Sequence, residues 1–279
     1  MDHYAVIGNP VEHSRSPFIH RQFALATGQS LSYTRILCPL DGFESTARSF
    51  ADKGAHGCNV TVPFKFEARR LAANCSVRAA LAGAVNTLRF DSDAWMGDNT
   101  DGVGLVRDIE VNAGVVIAGL RVLLIGAGGA AAGALGPLLN ARPSVLVLAN
   151  RTLSRAQDLA RSHEHVARDC GVTFAVAPLE TCGERFDIIV NASSSSLHHA
   201  AVPVPASVLR PGALALDMMY GPAAKSFLDW ARTHRAVPRD GLGLLVEQAA
   251  ESFLLWRGVR PDTLLVLAAL RRDLGPIDA

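Results

Sequence analysis

The stretch that most constrains this chain is RVLLIGAGGAAAGALGPLL, residues 121–139. It reads as a short apolar strand, a glycine turn and a helix. The turn GAGGAA, residues 126–131, fits G-x-G-x-x-G/A through Gly126, Gly128 and Ala131. Small residues there let backbone N–H groups and a helix N-terminus approach a pyrophosphate. Gly126, Ala127, Gly128, Gly129 and Ala130 are therefore expected to contact a dinucleotide.

The alternation continues downstream. SVLVLAN (144–150) is a strand and 153–163 a helix; VTFAVAP (172–178), FDIIVNA (186–192) and ALALDMM (213–219) are further strands. Strands alternating with helices imply parallel pairing with helices on both faces, a Rossmann-like doubly wound sheet. The end of its second strand selects the dinucleotide. An NAD site wants Asp or Glu there for the ribose 2′-hydroxyl. This chain has Asn150, Arg151, Thr152 and Arg155, with no acid before Asp158. Two guanidiniums beside a hydroxyl and an amide suit a 2′-phosphate, so the expected cofactor is NADP(H). The plainer alternative is that these residues merely cap and solvate the next helix.

The 279 residues exceed what this one unit needs. Upstream, the first hundred residues alternate again: strands at 3–8, 31–37 and 54–62, helices at 17–27 with Ser16 as its cap, 41–51, 65–73 and 76–82, and a hairpin pair at 84–90 and 94–97. A connecting helix runs from Asp101 to Ala113. Two helices close the chain, 244–256 and 261–272, the second with Pro261 at its first turn. The fold class is α/β with two domains.

Composition excludes several functions. The net charge is +1 and no basic run stands out, so nucleic-acid binding has no electrostatic footprint. No apolar run is long enough to span a bilayer and the N-terminus has no signal-peptide pattern. The five cysteines are scattered and include no C-x-x-C, which suits free thiols in a reducing cytoplasm. HEH (163–165) and HH (198–199) lack metal-ligand spacing, so no metal is expected. Monomer and homodimer both fit.

NVTVPFK (59–65) ends a strand on a lysine. Lys65 can simply open the next helix, for which lysine has good propensity. A wider pattern gives it a second reading. GNPVEHSRSPFIH (8–20), GCNVTVPFK (57–65), AGAVNTL (82–88), GDNTDGVG (97–104), LLIGAGGA, NRT, DMMY (217–220) and DGLGLLVEQAA (240–250) together resemble the shikimate dehydrogenase family, in its order and spacing over nearly the whole chain. The resemblance implies a substrate domain at 1–101, a Rossmann-like NADP-binding domain at 102–240, and C-terminal helices, 241–279, that return to the substrate domain. It implies reversible, NADPH-dependent reduction of 3-dehydroshikimate to shikimate, on the way to aromatic amino acids.

The resemblance also implies roles. Ser14 and Ser16 match the pair that binds the substrate carboxylate, as hydroxyls can without adding charge. Thr61, Asn86 and Gln248 match residues that hold the ring hydroxyls, while Asn59 looks structural. Tyr220 matches a residue beside the substrate; Met218 and Gly241 match positions near the nicotinamide. Lys65 and Asp101 match the catalytic pair. As hydride reaches the ketone carbon, charge grows on its oxygen, and an ammonium there stabilises it and supplies the proton. At about 4 Å and an effective dielectric near 20, a carboxylate attracts that ammonium by roughly 4 kcal/mol before desolvation.

Some positions depart from the family. Ser193 and Ser196 replace a threonine and a glycine, and a serine at a glycine position carries strain if the backbone needs positive φ. Ala132 stands where many members carry arginine, Lys225-Ser226 replaces Thr-Pro, and Val77 stands where an acid or proline is common. A quinate/shikimate dehydrogenase preferring NAD is the near rival, and it wants an acid near Arg151 or Thr152. A non-catalytic dinucleotide sensor on the same fold is the distant one, expected to lose Lys65 or Asp101.

Overall fold

A computed structural model describes residues 1–91, 94–193, 195 and 202–274. They form two compact units: Met1–Gly104 with Leu245–Leu270, and Leu105–Leu244 with the chain from Arg271 to Leu274. The chain passes from the second unit back to the first within one helix, α9 (Leu242–Arg257).

The first unit is built on a mixed sheet of order β2-β1-β3-β5-β6-β4. Its strands are β1 (Asp2–Gly8), β2 (Leu31–Leu37), β3 (Ala55–Val60), β4 (Asn74–Cys75), β5 (Thr87–Arg89) and β6 (Met96–Asp98). β1 lies parallel to β2 and β3, while β5 runs antiparallel to β3 and β6. Register sets Asn59 opposite Thr87 and Thr87 opposite Asp98. Successive strand residues face opposite sides. Cys58 and Val60 join a core with Ile7, Leu88, Phe43 of α2 (Phe43–Asp52), Ala68 of α3 (Lys65–Leu71) and Phe64 just before it, and Ala79 of α4 (Val77–Ala82). The opposite side carries aromatic contacts from α1 (Ser16–Thr27) and α9: His20 stacks on Tyr33 at 4.2 Å, and Phe23 meets Phe253 edge-on at 5.8 Å.

The second unit carries a parallel sheet of order β12-β11-β10-β7-β8-β9 among the described residues. Its strands are β7 (Arg121–Ile125), β8 (Val145–Ala149), β9 (Thr173–Ala177), β10 (Phe186–Asn191), β11 (Leu209–Asp217) and β12 (Val237–Arg239). Strand alternation divides its apolar residues between two cores. Val122, Leu124, Leu146, Leu148, Ile188 and Val190 meet α6 (Gly129–Asn140), α7 (Leu153–Asp169) and α5 (Asp101–Arg107) or the π turn after it, through Leu135, Leu138, Ala156 and Ile109. Leu123, Ile125, Val147, Ile189 and Ala215 meet α8 (Lys225–Thr233) through Phe227, Leu228 and Ala231. Truncating one such buried leucine to alanine costs about 2–5 kcal/mol.

Several boundaries differ from the sequence reading. Ser16 is the first helical residue rather than the cap, and its hydroxyl turns to Ser14. The helix from Asp101 passes into a π turn at Asp108–Asn112. α7 runs on to Asp169, so HEH is helical and His163 is fully buried, within 3.0 Å of the Leu159 carbonyl. The last helix, α10, spans Leu264–Leu274, leaving Pro261 outside its first turn. His198 and His199 lie outside the described residues. No described helix is long and apolar enough to cross a membrane.

Candidate active site and dinucleotide site

In the first unit, Lys65 opens α3 and Asp101 opens α5. Lys65 Nζ lies 2.5 Å from Asp101 Oδ2, with side chains 15% and 8% exposed. Two charges so little solvated need further hydrogen bonds to offset their desolvation. Asn86 supplies one, its Nδ2 donating to Asp101 Oδ1 at 2.8 Å. The Asp101 backbone N–H donates to Asn99 Oδ1 at 3.2 Å, and Asn99 Nδ2 is anchored on the Ala84 carbonyl at 2.9 Å. Behind them, Arg78 grips Asp98 through two bonds of 2.8 and 2.6 Å. Burial opposes the Asp98 charge, but Arg78, the Ser76 hydroxyl and the Asn99 N–H hold its carboxyl below the usual carboxylate range.

Gln248 closes on the same cluster. Its Oε1 lies 3.3 Å from Thr100 Oγ1 and 3.4 Å from Asn86 Nδ2, and its Nε2 donates to the Leu245 carbonyl at 2.8 Å. Thr61 donates its backbone N–H to the Ile7 carbonyl at 3.0 Å, just past the end of β3. Ser14 and Ser16 sit together, Oγ to Oγ at 3.2 Å. Arg35 donates twice to the Ser14 carbonyl, at 2.8 and 2.6 Å, and so fixes that turn. Burial drives ionisation of the Tyr33 phenol well above its ordinary range, so Tyr33 stays an O–H donor. Lys65, Asp101, Asn86 and Gln248 thus form one cluster, and Ser14 and Ser16 form another. The sequence reading did not reach Thr87, Thr100 and Ser252, which pack behind Asn86. The available signal was a polar residue inside an apolar run: Thr87 in a strand and Ser252 in a helix.

The second unit holds the glycine turn. Gly126 has φ +111°, and a Cβ there would stand 3.0 Å from the Ala192 carbonyl atoms, so a side chain meets both strain and contact. Among the described residues, no atom lies within 4 Å of where a Cβ on Gly128 would stand. That open face, with Gly129 and Ala130 starting α6 and no side chain capping its N-terminus, fits a pyrophosphate against backbone N–H groups. Ala127 completes the turn.

Asn150 follows β8, and its Nδ2 donates to the Thr152 carbonyl at 2.8 Å. Thr152 occupies the cap of α7 without a side-chain cap bond, and the first turn holds no acid. Arg151 and Arg155 are exposed at this end. A helix N-terminus disfavours cations. Two arginines there with no acidic partner in that turn suit an anion from outside, which argues against a capping role and fits a 2′-phosphate. Gly241 packs on the Met218 carbonyl, where a Cβ would come within 2.3 Å of the oxygen. Tyr220 caps the 3-10 turn at Gly221–Ala224. Asn191 and Asp217, at the ends of β10 and β11, are bonded at 2.9 Å. Ser193 donates its hydroxyl to Asn191 Oδ1 at 2.7 Å, and it is not among the residues with positive φ. Ser196 lies outside the described residues. Ala132 is buried and Val77 exposed. Among the described residues, no group of three His, Cys, Asp or Glu is placed to hold a metal.

Three family models match in order: "Shikimate dehydrogenase substrate binding domain" at 6–88, "Shikimate / quinate 5-dehydrogenase" at 110–202, and "Shikimate 5'-dehydrogenase C-terminal domain" at 241–271. A curated relative from Methylibium petroleiphilum, named shikimate dehydrogenase (NADP(+)), is 62% identical over 97% of this chain and 94% of its own. An Ael1 enzyme from Pseudomonas putida has a similar structure, with TM-score 0.87, 46% identity, and 97% and 98% of the two chains covered. So has the shikimate 5-dehydrogenase of Thermus thermophilus in complex with NADP(H) and shikimate, with TM-score 0.84, 30% identity, and 98% and 99% covered. With near-complete coverage at these identities, the chain belongs to the shikimate dehydrogenase family.

Proposed function

We propose that this protein is an NADP-dependent shikimate dehydrogenase that reduces 3-dehydroshikimate to shikimate, reversibly. The observation that carries the reading is the little-exposed Lys65–Asp101 pair, 2.5 Å apart and steadied by Asn86. Bound NADPH supplies the hydride. Lys65 Nζ gives its proton to the oxygen that becomes the alcohol, so hydride and proton together account for the two hydrogens gained. Asp101 holds the ammonium in position through its 2.5 Å contact with Nζ. Ser14 and Ser16 take the ring carboxylate; Thr61, Asn86 and Gln248 take ring hydroxyls; Tyr220 lies beside the substrate. Gly126 to Ala130 hold the pyrophosphate, Asn150, Arg151, Thr152 and Arg155 the 2′-phosphate, and Met218 and Gly241 the nicotinamide. The first unit is the substrate domain and the second the NADP domain. Five free cysteines suit the cytoplasm; the enzyme works there as a monomer or homodimer.

The test follows nucleotide absorbance with 3-dehydroshikimate against NADPH and NADH, and quinate oxidation with both oxidised forms. Efficient turnover with NADPH, and much weaker turnover with NADH, is the expected result. Preference for NADH with fast quinate oxidation would falsify the cofactor assignment and restore the NAD-using quinate/shikimate rival. No turnover with either restores the non-catalytic sensor.

A further inference from the structure

Behind Asn86 runs a line of buried polar side chains to which the proposed reaction assigns no role. Asn86 Oδ1 accepts from the Thr100 N–H and from the Thr87 hydroxyl, both at 2.9 Å. An amide oxygen with two donors on it fixes which way round the amide lies. Its Nδ2 then faces Asp101 Oδ1 at 2.8 Å and Thr100 Oγ1 at 2.9 Å. Flipped, Asn86 would set an oxygen against the carboxylate and an N–H against the Thr100 N–H.

Thr87 is fully buried in β5. A hydroxyl can donate or accept, so its own surroundings decide which. Asn59 Nδ2 lies 3.1 Å from Thr87 Oγ1 and can only donate to it. Asn59 is itself oriented, because Tyr33 donates its hydroxyl to Asn59 Oδ1 at 2.7 Å. Ser252 Oγ also lies 2.8 Å from Thr87 Oγ1, where either hydroxyl can donate. Asn86 Oδ1 can only accept, so with the Thr87 proton on it Ser252 is the donor, and donors run one way: Tyr33 to Asn59, Asn59 to Thr87, Thr87 to Asn86, Asn86 to Asp101. Each bond polarises the next in a medium of low dielectric. The line ends on Asp101 Oδ1 and leaves Oδ2 to Lys65.

We propose that Thr87 is a positioning residue for this reaction: its hydroxyl locks the Asn86 amide, and through it the rotation of the carboxylate that holds Lys65. The proposal rests on reading Lys65 and Asp101 as the acid pair. Thr87→Val tests it, since valine keeps the shape and removes the hydroxyl. Asn59 Nδ2 keeps acceptors at Ser252 Oγ (2.9 Å) and the Asn86 carbonyl (3.2 Å), and Ser252 Oγ, which loses its 2.8 Å contact with Thr87, keeps the Gln248 carbonyl at 3.1 Å, so little is left unpaired.

With NADPH and 3-dehydroshikimate, Thr87→Val is expected to lower kcat roughly tenfold with KM within about twofold, and Thr87→Ser to restore kcat to within about threefold of wild type. In an Asn86→Ala background the same Thr87→Val change should move kcat less than about twofold, as coupled residues do. A role confined to stability would lower Tm and leave these ratios alone. Unchanged kcat in Thr87→Val, failure of Thr87→Ser to rescue, or an equal loss with and without Asn86 overturns the proposal. Should Thr87→Val not fold, Thr87→Ala is held to the same criteria. An inert wild type overturns the functional reading and this role with it; an active wild type with an indifferent Thr87 overturns this role alone.

Discussion

The two units hold their candidate sites by opposite means. The first buries polar side chains against one another: Asn59, Asn86, Thr87, Asn99, Thr100, Asp101, Gln248 and Ser252 are all buried. The second keeps β7 and β8 apolar and presents backbone at a glycine turn with an uncapped helix end, plus two exposed arginines. A ring bearing several hydroxyls must be met by donors and acceptors of fixed direction, which only packed side chains provide. A phosphate asks for N–H groups and positive charge, which backbone and flexible arginines supply.

The largest expected effect breaks the side-chain half of this contrast. Lys65→Ala should lower kcat roughly several hundredfold, about 3.5 kcal/mol, with KM for 3-dehydroshikimate nearly unchanged, because the interaction is made mainly in the transition state. Steady-state kinetics at saturating NADPH read both parameters. A loss in KM alone would make Lys65 a binding residue and remove the acid role. The matching change in the second unit is Gly126→Ala. Strain at φ +111° and contact with the Ala192 backbone together cost about 2 kcal/mol, so KM for NADPH should rise roughly thirtyfold while KM for 3-dehydroshikimate holds. An unchanged NADPH KM would mean that backbone geometry does not hold the cofactor.

His20 sharpens the contrast from inside the first unit. It is fully buried; neither ring nitrogen makes a hydrogen bond of ordinary geometry, and the nearby Asn59 side chain offsets only a small part of the cost of charging the ring. Burial pushes its pKa from 6.5 down to about 3. Below about 6.5 the unfolded chain takes up a proton that the folded ring refuses, so stability is lost as pH falls toward the folded value. Between pH 7 and pH 5 this amounts to about 2 kcal/mol, and His20→Phe should abolish that share of the loss. Urea unfolding of both proteins at the two pH values measures it. Equal slopes would show that His20 finds a partner when charged.

How much of this was legible depended on sequence distance. The glycine turn is local: Gly126 to Ala130 carry their own geometry, and the alternation of strands with helices after residue 121 foretold a sheet covered on both faces. Lys65 and Asp101 were legible through a family pattern, since nothing between them announces a 2.5 Å contact. Thr87 and Ser252 are 165 residues apart and touch at 2.8 Å; neither has a pattern of its own, and only the packing of β5 against α9 brings them together. Boundaries failed where propensity was permissive. After His163 the run EHVARD contains no breaker, so α7 continues to Asp169. β4 and β12, of two and three residues, are too short to alternate.

The smallest expected effect concerns the side chains of the backbone-built site. Arg151 and Arg155 are exposed, so each contributes less than a buried pair, and salt screens it. Arg151→Ala should raise KM for NADPH about tenfold, about 1.4 kcal/mol, and Arg155→Ala by somewhat less. KM for NADH, which lacks the 2′-phosphate, should not move. The rise for NADPH should shrink as salt increases, since an exposed ion pair is what is being removed. If both nucleotides weaken equally, the arginines serve the pyrophosphate that both share, and the choice of NADP must come from Asn150 and Thr152. If only NADPH weakens, exclusion of an acid after β8 and provision of two cations are one device, and the glycine turn serves either nucleotide alike.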